Sequence, residues 1–278
     1  MSERVPPAKP THTWDSADAY EAYVGRWSRL VARAFLDWLD VPLGGRWLDV
    51  GCGTGALARA IVELSESAAL LGVDPSSTYV ASARDQVTAP PAAFAVGDAR
   101  ALPVADGAFD AVVSGLVLNF LPAADQARVA AEMRRTVRPG GTVAAYVWDY
   151  EGDMQMMRCF WDAAIALDPT ARERDEGRRS PICKPVPLLA LFRGAGLDDV
   201  VVRAVDVPTH FHDFDDYWAP FLGGQGSAPG YAMSLDDDHR AALRDRLRAT
   251  LPFQPDGSLD LVARAWAIRG LSPLTSTP

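Results

Sequence analysis

Cysteine is scarce in this chain, and the few cysteines stand far apart. Only Cys52, Cys159 and Cys183 occur among 278 residues, with no CxxC pair and no His/Cys cluster. Zinc sites and disulfide frameworks both need clustered or regularly spaced cysteines. The sequence therefore predicts no metal site and no disulfide scaffold, and isolated thiols are typical of a reducing compartment.

Long apolar runs are also absent. No stretch approaches the roughly 20 apolar residues that a helix needs to span a bilayer, and residues 1–10 are polar and proline-rich. That segment lacks the apolar core of a secretion signal. We therefore expect residues 1–15 to be disordered, with no membrane span and a cytoplasmic location.

Basic residues are outnumbered by acidic ones. The chain has 27 Lys and Arg against 36 Asp and Glu, a net charge of −9. Nucleic-acid binding rewards Lys and Arg, because they neutralise phosphates. The charge balance thus argues against a nucleic-acid partner and says nothing about small substrates. We expect a small-molecule substrate and a monomer or homodimer.

Strand and helix patterns alternate through the first half of the chain. Such alternation predicts an α/β fold with a parallel sheet and crossover helices. The pattern indicates strands at 46–50, 69–74, 92–96, 109–114 and 142–148, separated by helices at 56–64, 76–87 and 122–137. A helix at 184–194, a strand at 199–207, a helix at 235–251 and a strand at 261–268 follow.

A glycine-rich loop follows the first predicted strand. Residues 48–55 read LDVGCGTG, and Asp74 ends the next strand about 20 residues later. Glycines let the backbone turn sharply and approach a ligand, and an acid at that position can bind both hydroxyls of a ribose. The loop is GxGxG rather than the GxGxxG of dinucleotide sites, and Asp49 adds a negative charge. This combination favours a cationic nucleoside such as S-adenosylmethionine (SAM), which carries a sulfonium and an ammonium.

The ordered set of motifs resembles class I SAM-dependent methyltransferases. LDVGCGTG at 48–55 is similar to their first motif, VDPS at 73–76 to their second, and GDARALP at 97–103 to their third. FDAVVS at 109–114 resembles their fourth strand, and RPGG at 138–141 the turn before their fifth. The subgroup resembled is the small-molecule type that includes the ubiquinone/menaquinone methyltransferases (methyltransferase type 11).

This resemblance implies a fold and a set of cofactor contacts. The implied fold is a Rossmann-like, seven-stranded, mostly parallel sheet with helices on both faces and a helical, aromatic cap over the C-terminal strand edge. One domain would span 16–278, with cap segments at 16–40, 150–183 and 208–258. The implied cofactor residues are Tyr20, Arg26, Trp27, Gly51, Cys52, Gly53, Asp74, Pro75, Ser76, Asp98, Ala99, Ser114 and Leu116.

Roles within that set also follow from the resemblance. The glycine loop would line the methionine part, Asp74 would hold the ribose, and Asp98 would meet the adenine. Ser114 and Leu116 would lie under the cofactor. Tyr20, Arg26 and Trp27 resemble a lid found in some members, in which Arg26 could pair with the SAM carboxylate.

The acceptor site is less defined by the sequence. The cap segments are rich in aromatic residues and Met, which suits an apolar or aromatic substrate. His210 and His212 are candidate bases, since a His beside an acid can titrate near neutrality; Asp213, Tyr150 and Asp149 are further candidates. Asn119, after the fourth strand, could orient the acceptor by hydrogen bonding.

Three functions stay open on the sequence alone. The first is methyl transfer from SAM to a small molecule by in-line displacement. The second is SAM binding with another reaction or with none, because an intact glycine loop cannot prove turnover. The third is a nicotinamide-dependent oxidoreductase, which the GxGxG spacing disfavours.

Overall fold

The computed structural model describes residues 21–39, 41, 44–224 and 226–274. Tyr20, and residues 1–15 that we expect to be disordered, lie outside these ranges. Within them, no helix combines the length and the apolar character needed to cross a membrane.

A single seven-stranded sheet organises the described residues. Its strand order is β3-β2-β1-β4-β5-β7-β6. The strands are parallel except β7, which runs antiparallel to both β5 and β6. The bounds are β1 Arg46–Val50, β2 Ala69–Asp74, β3 Ala92–Val96, β4 Phe109–Gly115, β5 Val137–Trp148, β6 Asp198–Phe211 and β7 Leu259–Leu271. The predicted Rossmann-like architecture is confirmed.

The strand order reverses between β1 and β4. From β1 the chain moves outward through β2 to β3, then returns to place β4 on the other side of β1. Right-handed crossovers put the helices of the two halves on opposite faces. Ligands of such sheets bind at this switch point, beyond the carboxyl ends of the strands, which is where the glycine loop after β1 lies.

Helices flank the sheet and fill the later connections. A short π-helix at Glu21–Gly25 leads into α1, Arg26–Leu39, which packs on α2. The other bounds are α2 Ala56–Leu64, α3 Ser77–Gln86, α4 Ala123–Thr136, α5 Gln155–Leu167, α6 Glu176–Arg179, α7 Pro185–Gly194, α8 Phe214–Trp218, α9 Ser227–Ser234 and α10 Asp237–Thr250. Helix α3 begins at a Ser76 cap whose side chain accepts the N–H of Tyr79.

Two of the three segments proposed as a cap, 150–183 and 208–258, pack on each other. Helices α9 and α10 contact α5. Aromatic rings fill the space between them: Phe160 stacks on Phe221 at 4.4 Å between centroids, and Tyr231 lies edge-on to Phe160 at 6.3 Å. Most aromatic residues of these segments thus form the segments' own core.

Strands β6 and β7 exceed their predicted lengths of 199–207 and 261–268. They form a long antiparallel ribbon in which residues of β6 alternate between buried and exposed as far as Phe211. That alternation over 205–211 includes the polar Thr209, buried to 1% exposure, so its polar character concealed the strand from the sequence pattern.

Candidate functional site

The loop after β1 needs glycine at its turning points. Gly51, Gly53 and Gly55 all adopt positive φ, at 74°, 54° and 93°. A Cβ on Gly51 would lie 2.4 Å from a methyl carbon of Val117. A Cβ on Gly53 would meet nothing within 4 Å. Gly51 therefore makes room for the Val117 side chain against the loop, whereas Gly53 faces open space.

Asp74 connects this loop to the end of β2. Its Oδ2 accepts the backbone N–H of Gly53 at 3.0 Å, and its Oδ1 accepts that of Ser76 at 2.9 Å. Burial raises the pKa of the carboxyl, and the two N–H donors oppose that rise. Each carboxylate oxygen retains a further lone pair, so the group can still accept hydrogen bonds from a diol.

Asp49 is the more unusual carboxylate. It is 1% exposed, and neither oxygen has a hydrogen-bond partner within the described part of the chain. Desolvation, with a smaller repulsion from Asp74, raises its pKa to about 7, and the Ala58 backbone N–H opposes that rise only in part. A buried carboxylate without a partner is costly, and a cationic ligand beside it would offset that cost.

These residues meet in a cavity of about 740 Å³. Its wall combines the loop after β1, the ends of β2 and β4, and the segment after β3. The predicted cofactor residues in its lining are Gly51, Cys52, Gly53, Asp74, Pro75, Ser76, Asp98, Ala99 and Leu116. Asp49 also lines this cavity, and its two carboxylate oxygens are buried behind the surface of the wall.

A second, smaller cavity of about 290 Å³ adjoins the first. Both are lined by Leu116, Phe120, Leu121 and Pro122, which form a common wall. Its other lining residues are Tyr23, Val24, Asn119, Trp148, Tyr150, Met157, Glu176, Arg179, Ser180, Gly226 and Ser227. It is therefore apolar and aromatic, with a few polar groups.

The donor set fits SAM on structural grounds. The larger cavity offers a backbone cradle of glycines with positive φ, a carboxylate with free lone pairs for a ribose, and the unpaired Asp49 carboxylate for a cation. A pyrophosphate would meet two buried acids instead of donors.

Comparison with known proteins agrees with this geometry. A methyltransferase domain family matches residues 48–145. The demethylmenaquinone methyltransferase of Roseiflexus castenholzii is 30% identical over 177 residues, which cover 59% of this chain and 72% of that protein. The chain belongs to the SAM-dependent methyltransferase family.

Other similar proteins extend the comparison. The malonyl-[acyl-carrier protein] O-methyltransferase of Geobacter sulfurreducens is 34% identical over 152 residues, 54% of this chain and 56% of that protein. The chain thus spans little more than half the length of this curated relative. Phosphoethanolamine N-methyltransferase 2 of Haemonchus contortus, solved in complex with SAM, aligns with a TM-score of 0.57 at 17% identity, over 92% of this chain and 56% of that one. At this level of identity, the similarity shows a shared fold.

Membership of this family shows that the cofactor is SAM. It also decides against the nicotinamide-dependent oxidoreductase. Sequence reasoning missed several residues of the cavity lining, among them Ser28, Tyr79, Asp125 and Tyr146. Tyr146 had a usable signal, because it lies near the carboxyl end of β5, whereas the placement of Ser28 depends on how α1 packs against the sheet.

Asp98 lines the cofactor cavity but is already paired. Arg100 donates to both of its oxygens, with Nε at 3.0 Å from each and Nη2 at 2.7 Å from Oδ2. These bonds lower the pKa of Asp98 to about 2. Its role toward the adenine stays a proposal, in which the ion pair keeps the carboxylate ionised and oriented.

Arg26 does not line the cavity. Its Nη1 lies 3.1 Å from Asp216 Oδ1, and its guanidinium stacks over the rings of Trp27 at 4.3 Å and Phe211 at 4.8 Å. Trp27 is buried and, like Arg26, is not a lining residue. The structure thus pairs Arg26 with a cap helix, α8, instead of with the position of a cofactor carboxylate.

Ser114 is likewise absent from the cavity lining. Its hydroxyl donates to the Val50 carbonyl at 2.8 Å, and the residue is 1% exposed. It ties β4 to β1 at the switch point. Its contribution to the site is the position of the two strand ends.

The two candidate histidine bases need correction. His210 lies near the end of the edge strand β6 and His212 just after it, and neither lines the larger or the smaller cavity. The His210 side chain is half exposed, and its Nδ1 lies 2.8 Å from Asp260 Oδ1. We therefore assign them no catalytic role. Both histidines lie at the carboxyl end of a strand, as the sequence predicted, but that strand is β6, one of the two outermost strands of the sheet.

Asn119 does line the smaller cavity. Its Nδ2 donates to the Tyr150 hydroxyl at 3.5 Å, while its Oδ1 is buried without a hydrogen-bond partner among the described residues. Of the further candidates, Tyr150 lines this cavity too, and the Asp149 carboxylate accepts backbone N–H groups of Gly152 and Asp153. Asn119 and Tyr150 thus keep their proposed place beside an acceptor.

Proposed function

We propose that this chain transfers a methyl group from SAM to a small molecule with an apolar or aromatic frame. The larger cavity would hold SAM, and the smaller one the acceptor. The observation that carries this proposal is their common wall of Leu116, Phe120, Leu121 and Pro122. Cavities that share lining residues lie side by side, and in-line transfer requires two reactants bound at adjoining positions.

The cofactor side binds and orients. When bound, SAM supplies a methyl group on a positively charged sulfur that departs as a neutral thioether. The Asp49 carboxylate would face the positive charge, and Asp74 would fix the ribose while it holds the loop through Gly53 and Ser76. Positioning of this kind accounts for much of the rate in reactions that join two bound reactants.

The acceptor side is lined to hold an apolar frame and to exclude water. Tyr23 and Trp148 are each 2% exposed, and Met157 is 3% exposed. Exclusion of water strengthens the polar contacts that remain. Asn119 supplies one such contact, a buried carbonyl oxygen without a partner among the described residues.

The relatives' names are consistent with small or carrier-bound acceptors. They name demethylmenaquinone and malonyl-[acyl-carrier protein], and each statement concerns only that relative. The smaller cavity, at about 290 Å³, lies near the lower limit for small-molecule sites. We therefore favour a compact acceptor or the compact end of a longer one.

The experiment has two independent measurements. Calorimetry with SAM and with S-adenosylhomocysteine tests the cofactor site, with NAD as the control; we expect binding of the first two and none of NAD. Methyl-tritiated SAM, supplied with a panel of phenols, amines and carboxylic acids, tests transfer. Binding of SAM without transfer to any acceptor would favour a protein that uses SAM differently, and failure to bind SAM would overturn the proposal.

A further inference from the structure

One carboxylate that lines the smaller cavity has no role in the proposed methyl transfer as described above. Glu176, the first residue of α6, lines this cavity and is partly buried. It accepts a hydrogen bond from the indole N–H of Trp161, which is itself fully buried. It forms no ion pair with any residue that the structure describes.

Its neighbour Asp175 differs in this respect. Asp175 caps α6 by accepting the Gly177 N–H at 2.9 Å, and it pairs with Arg158 at 2.9 Å. One acid of the pair is therefore structural and neutralised. The other, Glu176, is held by a neutral donor and turned toward the cavity lined by Tyr150 and Asn119.

We infer that Glu176 is the proton acceptor for a hydroxyl group on the methyl acceptor, an inference that rests on the proposed function. The hydroxyl would donate to the Glu176 carboxylate while its oxygen attacks the methyl carbon. The O–C bond forms, the C–S bond breaks with its electron pair left on sulfur, and the hydroxyl proton passes to Glu176 and then to solvent.

The charges around Glu176 support this role. Burial raises its pKa to about 7 and Asp175 adds repulsion, while its own backbone N–H, the Trp161 indole and the Ala228 N–H oppose the rise. A base with a pKa near the working pH is well placed for proton transfer. Among the described residues, the other titratable or charged groups near this region include Tyr23, Tyr150, Tyr217, Asp149, Arg179 and Cys183.

A hydroxyl suits this cavity better than an ammonium group. Arg179 lines the same cavity as Glu176. A cationic acceptor would be attracted by Glu176 and repelled by Arg179, so the two effects would oppose each other. A neutral hydroxyl needs only a hydrogen-bond acceptor. The aromatic lining then holds the rest of the molecule.

The first test uses the protein without cofactor. Carbon-13 NMR of chain labelled at the glutamate carboxyl carbons should show one resonance that titrates near pH 7 and disappears in Glu176→Gln. Trp161→Phe removes the donor to the carboxylate, so the titration midpoint should move upward. A Glu176 resonance that titrates in the ordinary range of glutamate overturns the inference.

The second test uses 1-naphthol and 1-naphthylamine, which share one frame. In the presence of S-adenosylhomocysteine, Glu176→Gln should weaken 1-naphthol binding at least tenfold at pH 8 and leave S-adenosylhomocysteine affinity within twofold. Methyl transfer to 1-naphthol should rise about tenfold in kcat/KM from pH 6 to 8 in the unmodified enzyme and lose that dependence in the variant.

The exposed Glu173→Gln, three residues away, is the matched control and should behave as the unmodified chain. Failure of S-adenosylhomocysteine to bind at all would overturn the proposed function itself. Two outcomes would overturn only this inference. One is that the cofactor binds but Glu176→Gln keeps the pH profile, and the other is that 1-naphthol does not bind to the unmodified chain. If 1-naphthylamine binds more tightly than 1-naphthol, and Glu176→Gln abolishes that binding, the acceptor group is an amine and the inferred hydroxyl is wrong.

Discussion

Asp74 and Gly53 are joined by a hydrogen bond across 21 positions of the chain: the Asp74 Oδ2 accepts the Gly53 backbone N–H at 3.0 Å. The same carboxylate accepts the Ser76 N–H through its other oxygen. It therefore fixes the loop after β1 and the start of α3 at once. A residue placed in this way both shapes the cofactor cavity and faces its contents.

Asp74→Asn should weaken SAM binding. An amide has one oxygen in place of two, so it cannot accept from both Gly53 and Ser76 and also hold a ribose diol. Loss of hydrogen bonds to a charged group costs ~1–3 kcal/mol, which corresponds to about 5- to 150-fold in Kd. Isothermal calorimetry with S-adenosylhomocysteine measures it directly.

The control for this change is Asp85→Asn on the exposed side of α3. It removes the same charge from the same part of the chain, so it reports any general effect of net charge. Equal affinities for the Asp74 and Asp85 variants, with both folded, would remove Asp74 from the site.

The sequence predicted the first half of the fold well because its signals there are local. Strands β1, β2 and β3 have the predicted bounds 46–50, 69–74 and 92–96, since each is a short apolar run that ends at a Gly or Asp. The glycine loop and Asp74 also follow from local spacing. Parallel strands bring their carboxyl ends to one edge, so the cofactor residues meet without further information.

The acceptor side depends on tertiary contacts that no local pattern reveals. Glu176 lies in a charged run that is typical of a solvated surface, and only the packing of α6 against Trp161 turns it inward. Arg26 lies in a motif that suggests the cofactor, yet Asp216, 190 positions away, binds it. His210 has the favourable chemistry of a base but pairs with Asp260 away from both cavities.

Gly51→Ala should destabilise the protein more than Gly53→Ala does. Both positions have positive φ, which costs a non-glycine residue ~1–2 kcal/mol. Only the Gly51 substitution adds a clash, with its Cβ 2.4 Å from the Val117 side chain, and overpacking costs a further ~1–3 kcal/mol. Chemical denaturation of both variants measures the difference in the free energy of unfolding.

The Val117→Ala change provides the control for that clash. In the Gly51→Ala background it removes the two methyl carbons nearest to the new Cβ, so it should recover part of the lost stability. The outcome against this interpretation is an equal free energy of unfolding for the Gly51 and Gly53 variants.

Asp49 should make the cofactor-free protein less stable as pH rises. Its pKa is raised to about 7 from the ordinary aspartate value of 3.8, so the folded state holds a proton that the unfolded state releases above pH 4. The free energy of unfolding therefore falls between about pH 4 and pH 7, by up to about 1.4 kcal/mol per unit. Asp49→Asn removes this slope. In denaturant titrations, the free energy of unfolding of the unsubstituted protein should therefore fall relative to that of Asp49→Asn from pH 5 to pH 8.

The cofactor gives the same carboxylate the opposite role. A bound cation favours the ionised form of Asp49, so S-adenosylhomocysteine, which lacks the sulfonium charge, should lose less affinity than SAM when Asp49 becomes Asn. Calorimetry of both ligands against both proteins at pH 8 compares the losses. Equal losses would mean that Asp49 does not sense the sulfonium.

Arg26→Gln tests whether this arginine serves the cofactor or the cap. Its guanidinium pairs with Asp216 at 3.1 Å and stacks on Trp27 and Phe211, contacts that join α1 to the start of α8. A partly exposed ion pair contributes ~0–1 kcal/mol, and cation–π contacts add ~0.5–2 kcal/mol. We therefore expect Arg26→Gln to lower the Tm and to change SAM affinity less than threefold. Asp216→Asn keeps the stacking, so its loss of Tm should be smaller. Calorimetry and thermal melts on the two variants decide between the roles, because a tenfold loss of SAM affinity in Arg26→Gln alone would return the guanidinium to the cofactor carboxylate.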